Sequence, residues 1–189
     1  MELKEQSGLR AVLKNTPLPR VCMVRQIFRR DGIEDVVSYL REKLDRQDLK
    51  ERIKPGMRVV LTGSSRQIRN MPVILRELAA FVRAQGGEPW IIPAMDEGQR
   101  QILESYGITE AFCGCPIFSS METVRVGEIS NGDEVRVDKF AQSADAVIVV
   151  GRIKAHTAFR GPYESGLIKM MAIGMGKRAG ADSLHREGF

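Results

Sequence analysis

Two histidines occur in the whole chain, His156 and His185, and both fall near its C-terminal end. An imidazole titrates near neutral pH and binds metals through its ring nitrogens, so each is a candidate acid, base or ligand. His156 comes just after the apolar run Ala146, Val147, Ile148, Val149, Val150, where a loop leaves a core strand. A lone loop histidine is equally read as an ordinary surface residue. Between the two histidines lies a glycine-rich segment, residues 159–177, with no acidic residue after Glu164 and with Lys169 set among apolar neighbours. Burial lowers a lysine's pKa and frees its amine as a nucleophile. The competing reading is a lysine whose stem lies along a helix while its head reaches water. A third cluster, Thr62-Gly63-Ser64-Ser65-Arg66, joins hydroxyls to a guanidinium that can grip a carboxylate or phosphate with two hydrogen bonds. An ordinary strand-to-helix turn with a surface arginine has the same composition. Cys113 and Cys115 form a C-x-C pair with no further Cys or His nearby, which reads as core or loop thiols rather than a metal pair.

The elements that must position these residues follow from periodicity. Apolar Ile33, Val36, Val37, Leu40 and Leu44 recur at three- and four-residue steps, the spacing of an amphipathic helix that Pro55-Gly56 brings to an end. Val59, Val60 and Leu61 make a buried strand ending in the Thr62–Arg66 loop. A helix is predicted over residues 72–85, with Asn70 as its N-cap and Gly86-Gly87 as its stop. Trp90, Ile91 and Ile92 form a second buried strand closed by Pro93, and residues 99–106 a short helix stopped at Gly107. Residues 123–127 and 134–137 flank Asn131-Gly132, a hairpin signal. The run over residues 146–150 is the third core strand. Residues 1–30 read as an arm, within which Cys22 to Phe28 could extend as a strand. Residues 31–189 read as an α/β domain, a Rossmann-like three-layer arrangement with a mainly parallel core sheet plus a β-hairpin excursion. In such sheets ligands bind outside the carboxyl ends of the strands, which draws the three loops above to one edge.

Composition narrows the function classes. The chain has 189 residues, 43% of them hydrophobic and 28% charged, which excludes disordered and collagen-like classes. No apolar run approaches the roughly 18 residues of a bilayer span, so no membrane partner is expected. The N-terminus lacks an apolar leader and three cysteines make no disulfide framework, so the expected location is cytoplasmic. A net charge of +5 invites a nucleic-acid reading, but both signs are mixed at helical spacing and aromatics are only 6%, too few for base stacking. A homo-oligomer is left open.

Taken together, residues 145–156 (DAVIVVGRIKAH), 157–169 (TAFRGPYESGLIK) and 175–185 (MGKRAGADSLH) resemble the nickel-pincer-dependent lactate racemases, over roughly residues 55–189. The resemblance implies the N-terminal, cofactor-tethering domain of a racemase or epimerase acting on a small 2-hydroxy acid. The cofactor it implies is a nickel-pincer nucleotide, pyridinium-3-thioamide-5-thiocarboxylic acid mononucleotide with nickel. By resemblance Lys169 carries the tether, His185 supplies the nickel ligand, and His156 exchanges the substrate hydroxyl proton. Arg66 meets the cofactor or a substrate anion, and Ser64, Ser65 and Gly166 are expected to bind the cofactor. A C-terminal partner domain is expected to complete the cleft. The pattern departs where the racemases carry an aspartate and a histidine shortly before that arginine; Gly63 and Ser64 or Ser65 stand there. The loop after the second strand, Pro93 to Gln99, holds no histidine, so a second proton-exchanging imidazole has no counterpart. The alternative is a non-catalytic α/β domain binding a phosphorylated or carboxylated ligand through Arg66, Arg152, Lys154 and Lys177.

Overall fold

The computed structural model describes residues 20–28, 31–64, 68–95, 100–156, 160–162 and 164–186. The chain divides into two units, residues 1–32 and 33–189. In the first, residues 20–28 carry neither helix nor strand and are exposed. The strand open to Cys22 through Phe28 is not formed, because a lone extended segment has no partner to close a hydrogen-bond ladder.

The second unit is built on three parallel strands in the order β2-β1-β5: β1 Arg58–Gly63, β2 Glu88–Pro93 and β5 Ala146–Ile148. In β1 every residue after Arg58 is buried, the pattern of a central parallel strand covered on both faces. Alternation splits its side chains between two cores. Val59, Leu61 and Ile91 face the helix α3 (Met71–Ala84) through Met71, Leu75, Leu78 and Val82, with Leu103, Ile108 and Cys113 beside them. Val60 and Ile92 face the other way, onto Ala141 and Met175 with Phe140 and Val137 packed alongside. Each fully buried Val, Leu or Ile contributes about 1.5–3 kcal/mol of transfer free energy.

Around this sheet lie α1 Val36–Leu44 and α2 Gln47–Lys50, then α4 Arg100–Ser105 and α5 Glu110–Cys113. Asp35 caps α1 by accepting the Ser38 N–H at 3.0 Å. The hairpin forms where expected: β3 Thr123–Glu128 pairs antiparallel with β4 Glu134–Asp138, and Gly132 takes the left-handed φ of +91° that its turn requires. A short helix α6, Lys139–Ser143, follows directly.

Two expectations are corrected. Asn70 precedes α3 but makes no side-chain cap; it sits at φ +61°, left-handed, where its carboxamide meets no helical N–H. The third strand stops at Ile148 rather than Val150. There the Thr62 hydroxyl accepts the Val150 N–H at 2.7 Å and donates to the Val150 carbonyl at 3.2 Å, taking the place of the ladder. Among the described residues no helix is long and apolar enough to cross a membrane.

Candidate functional site at the carboxyl edge of the sheet

The strands β2, β1 and β5 end at one edge, and the chain from Gly166 to Gly176 is laid across it. This segment is a three-residue helix α7, Leu167–Lys169, continuing into a π-helix, Met170–Met175. π-Turns inside helices recur at functional sites. Its course is fixed by close approaches at glycines. A Cβ at Gly151, just past β5, would lie 2.8 Å from Met170 Cγ. A Cβ at Gly174 would lie 3.0 Å from the Ala94 carbonyl, just past β2. Gly166, at φ +91° and ψ −136°, adopts a backbone open only to glycine and packs on Ile153. The segment therefore starts over the end of β5 and finishes over the end of β2.

Lys169 is the last residue of α7 and is half-buried. Ser64, directly after β1, is half-buried at the same edge. His156 is half-buried in the loop leaving β5. That loop is stitched by one carboxylate: Glu164 accepts the backbone N–H of His156 at 2.7 Å and of Gly161 at 3.2 Å. Arg160 donates to the His156 carbonyl at 2.7 Å and stands 3.8 Å from Glu164. The two backbone hydrogen bonds hold the Glu164 carboxyl below its ordinary range, with Arg160 adding to them. Sequence reasoning missed this organiser, although Glu164 is the one acidic residue between Asp145 and Asp182.

The segment's deeply buried amine belongs to Lys177. Its side chain is 1% exposed; Nζ lies 3.0 Å from Asp138 Oδ2 and donates to the Pro93 carbonyl at the end of β2. Desolvation outweighs Asp138 and pushes this ammonium below the ordinary lysine range. Lys177 is thereby withdrawn from the cationic set expected to bind an anion; Arg152 and Lys154 remain exposed.

Lys177 opens α8, Lys177–Arg186, which runs antiparallel to β4: Lys177 meets Asp138 at one end and Arg186 reaches Asp133 at 3.7 Å at the other. His185 is exposed in the last turn of α8, about 12 Å along the axis from Lys177. α8 and the π-helix are in backbone contact, because a Cβ at Gly180 would overlap the Ala172 carbonyl. Ser65 and Arg66 lie outside the described residues. Among the described residues no group of three or more His, Cys, Asp or Glu side chains is placed to hold a metal. Cys113 and Cys115 are buried thiols, with burial pushing Cys115 up to about 11.

Elsewhere, a groove of about 580 Å³ between α1 and α3 is lined by both signs of charge, including Arg41, Asp45, Lys50 and Glu77. It has neither a glycine-lined edge nor a strand end.

No curated protein matches the chain. The model of a family described as a domain of unknown function (DUF362) matches residues 52–189, which takes in the whole sheet and the carboxyl edge. The chain belongs to that family.

Proposed function

We propose that residues 33–189 are the cofactor-tethering domain of a lactate-racemase-like protein, one that racemises or epimerises a small 2-hydroxy acid through a lysine-tethered nickel-pincer nucleotide. The observation that carries the reading is the position of Lys169: half-buried, three residues past the glycine-only Gly166, at the start of a π-helix that crosses the sheet's carboxyl edge. A single amine tether and a single imidazole ligand need no three-donor cluster; Lys169 lies half-buried at the sheet edge and His185 in the exposed last turn of α8.

In this reading Lys169 holds the cofactor covalently and His185 offers an imidazole nitrogen, a donor that nickel accepts well. When bound, the cofactor would supply the hydride chemistry at the substrate carbon. The protein's share is orientation and proton handling. His156 takes the substrate hydroxyl proton at an imidazole nitrogen and gives it back. Glu164 fixes the His156 backbone through its N–H. Ser64, with Arg66 of the same loop, holds the anionic end of the ligand.

The test is intact mass and nickel content of the chain produced together with the enzymes that mature the cofactor. A mass gain of one cofactor with bound nickel, absent from Lys169→Ala, is expected. An unmodified chain from cells in which a lactate racemase is loaded overturns the reading. The second reading, anion binding without catalysis, is favoured if carboxylate or phosphate binding survives in a Lys169→Ala, His185→Ala chain.

A further inference from the structure

Lys177 is the feature of the edge that the mechanism does not use. Its φ is +55°, left-handed, a conformation that β-carbon-bearing residues avoid and that persists only where the surroundings over-determine it. Glycines stand at 174 and 176, so the segment has strain-free turn residues close by, yet the turn itself falls on a lysine. A lysine in that place brings a charge into a site with almost no water, which is costly unless the charge is met. It is met twice. The Pro93 carbonyl accepts its hydrogen bond, and Asp138 Oδ2 faces it at 3.0 Å. Asp138 is itself completely buried. Its Oδ1 caps α6 by accepting the N–H groups of Phe140 at 2.7 Å and Ala141 at 3.2 Å. Its Oδ2 faces the ammonium at 3.0 Å as a buried ion pair.

This clamp joins the end of β2, the β4–α6 corner and the first residue of α8. The residue after Pro93 is Ala94, whose carbonyl is the close neighbour of Gly174 in the π-helix. The lysine and the π-helix are thus seated on adjacent residues of one strand end.

We propose that Lys177 is a positioning residue: its ammonium, held between the Pro93 carbonyl and the Asp138 carboxylate, sets the π-helix on the sheet edge and so fixes how Lys169 is presented there. The relevance of Lys169 rests on the function proposed above, but the positioning itself is a property of the unloaded chain.

The experiment is competitive reductive methylation of the full, unloaded chain with formaldehyde and cyanoborohydride. The rate at Lys169 is read against exposed Lys54 by peptide mass spectrometry. Two variants are compared with wild type at matched fraction folded. Asp138→Asn keeps Oδ1 as the α6 cap. Lys177→Met with Asp138→Asn removes both charges together, which avoids a lone buried ion. In both, the Lys169-to-Lys54 rate ratio shifts by about two- to thirty-fold, the range of mutational coupling through a packed element. A ratio unchanged in either folded variant overturns the proposal. Failure of both variants to fold also overturns it, since the pair then supports the whole fold rather than one edge. No cofactor enters this measurement, so a chain that never accepts a tether still gives a decisive answer here.

Discussion

Lys177 Nζ and Asp138 Oδ2 stand 3.0 Å apart with side chains 1% and 0% exposed, a buried ion pair that joins the start of α8 to the corner between β4 and α6. Removing one partner leaves the other charged and dry. Asp138→Ala, which also deletes the α6 cap, is expected to cost about 3–5 kcal/mol, read as a lowered urea midpoint. A loss under about 1 kcal/mol, the worth of a surface pair, contradicts this account.

The same lysine gives stability an alkaline slope. Its folded pKa lies below its ordinary 10.5, so between the two values the unfolded chain binds more protons. Stability from this group is fully present above 10.5 and is lost as pH falls through the folded value. Denaturation midpoints of wild type minus those of Lys177→Met should therefore rise with pH through that window. A difference that falls with pH reverses the sign and refutes the assignment.

Glu77, the most buried of the carboxylates held below their ordinary range, contributes to the acid limb. Its side chain is 4% exposed; burial alone raises its pKa, but Arg41 at 2.7 Å and Arg76 at 3.0 Å prevail and hold it below 4.5. The stability it contributes is present above pH 4.5 and is lost as pH falls through the lower folded value. Glu77→Gln should flatten this part of the acid profile. An unaltered acid profile in that variant would place the loss elsewhere.

How much of this the residues announce depends on range. Val59 to Leu61, Trp90 to Ile92 and the Asn131-Gly132 turn are local signals, and the strands and hairpin stand where those signals put them. Parallel strands put the loops of Ser64 and His156 at one edge, whereas Lys169 is brought there by close approaches at Gly151 and Gly174 that only the fold shows. Long-range polar partners were not legible. Thr62 captures Val150 across 88 residues and shortens β5, and Lys177 reaches Pro93 across 84. Apolar neighbours around Lys169 suggested a buried amine; the equally apolar surroundings of Lys177 hide the one that is buried, because only the fold brings Asp138 to it. Asn70 has the right residue type for a cap and the wrong backbone for one.

The thiols give a check independent of the edge. Cys113 and Cys115 are buried, and desolvation raises both, Cys115 to about 11, so little thiolate exists at neutral pH. Cys22 is exposed. A thiol-reactive disulfide reagent should modify Cys22 quickly and the other two only on unfolding. Fast labelling of all three in the native chain would show the core to be open.

Gly166 tests the seat of the proposed tether. At φ +91° an alanine is strained, costing about 1–3 kcal/mol, and its methyl group presses on Ile153 at 3.3 Å. Gly166→Ala should lower the melting temperature and reduce cofactor loading together. A variant as stable as wild type would mean that this turn relaxes freely.

The most direct test of the central claim is peptide mapping of the chain made alongside the cofactor-maturing enzymes. The account predicts a single adduct, on the peptide bearing Lys169, with Lys177 unmodified. An adduct on Lys177, or none in cells that load a lactate racemase, contradicts it.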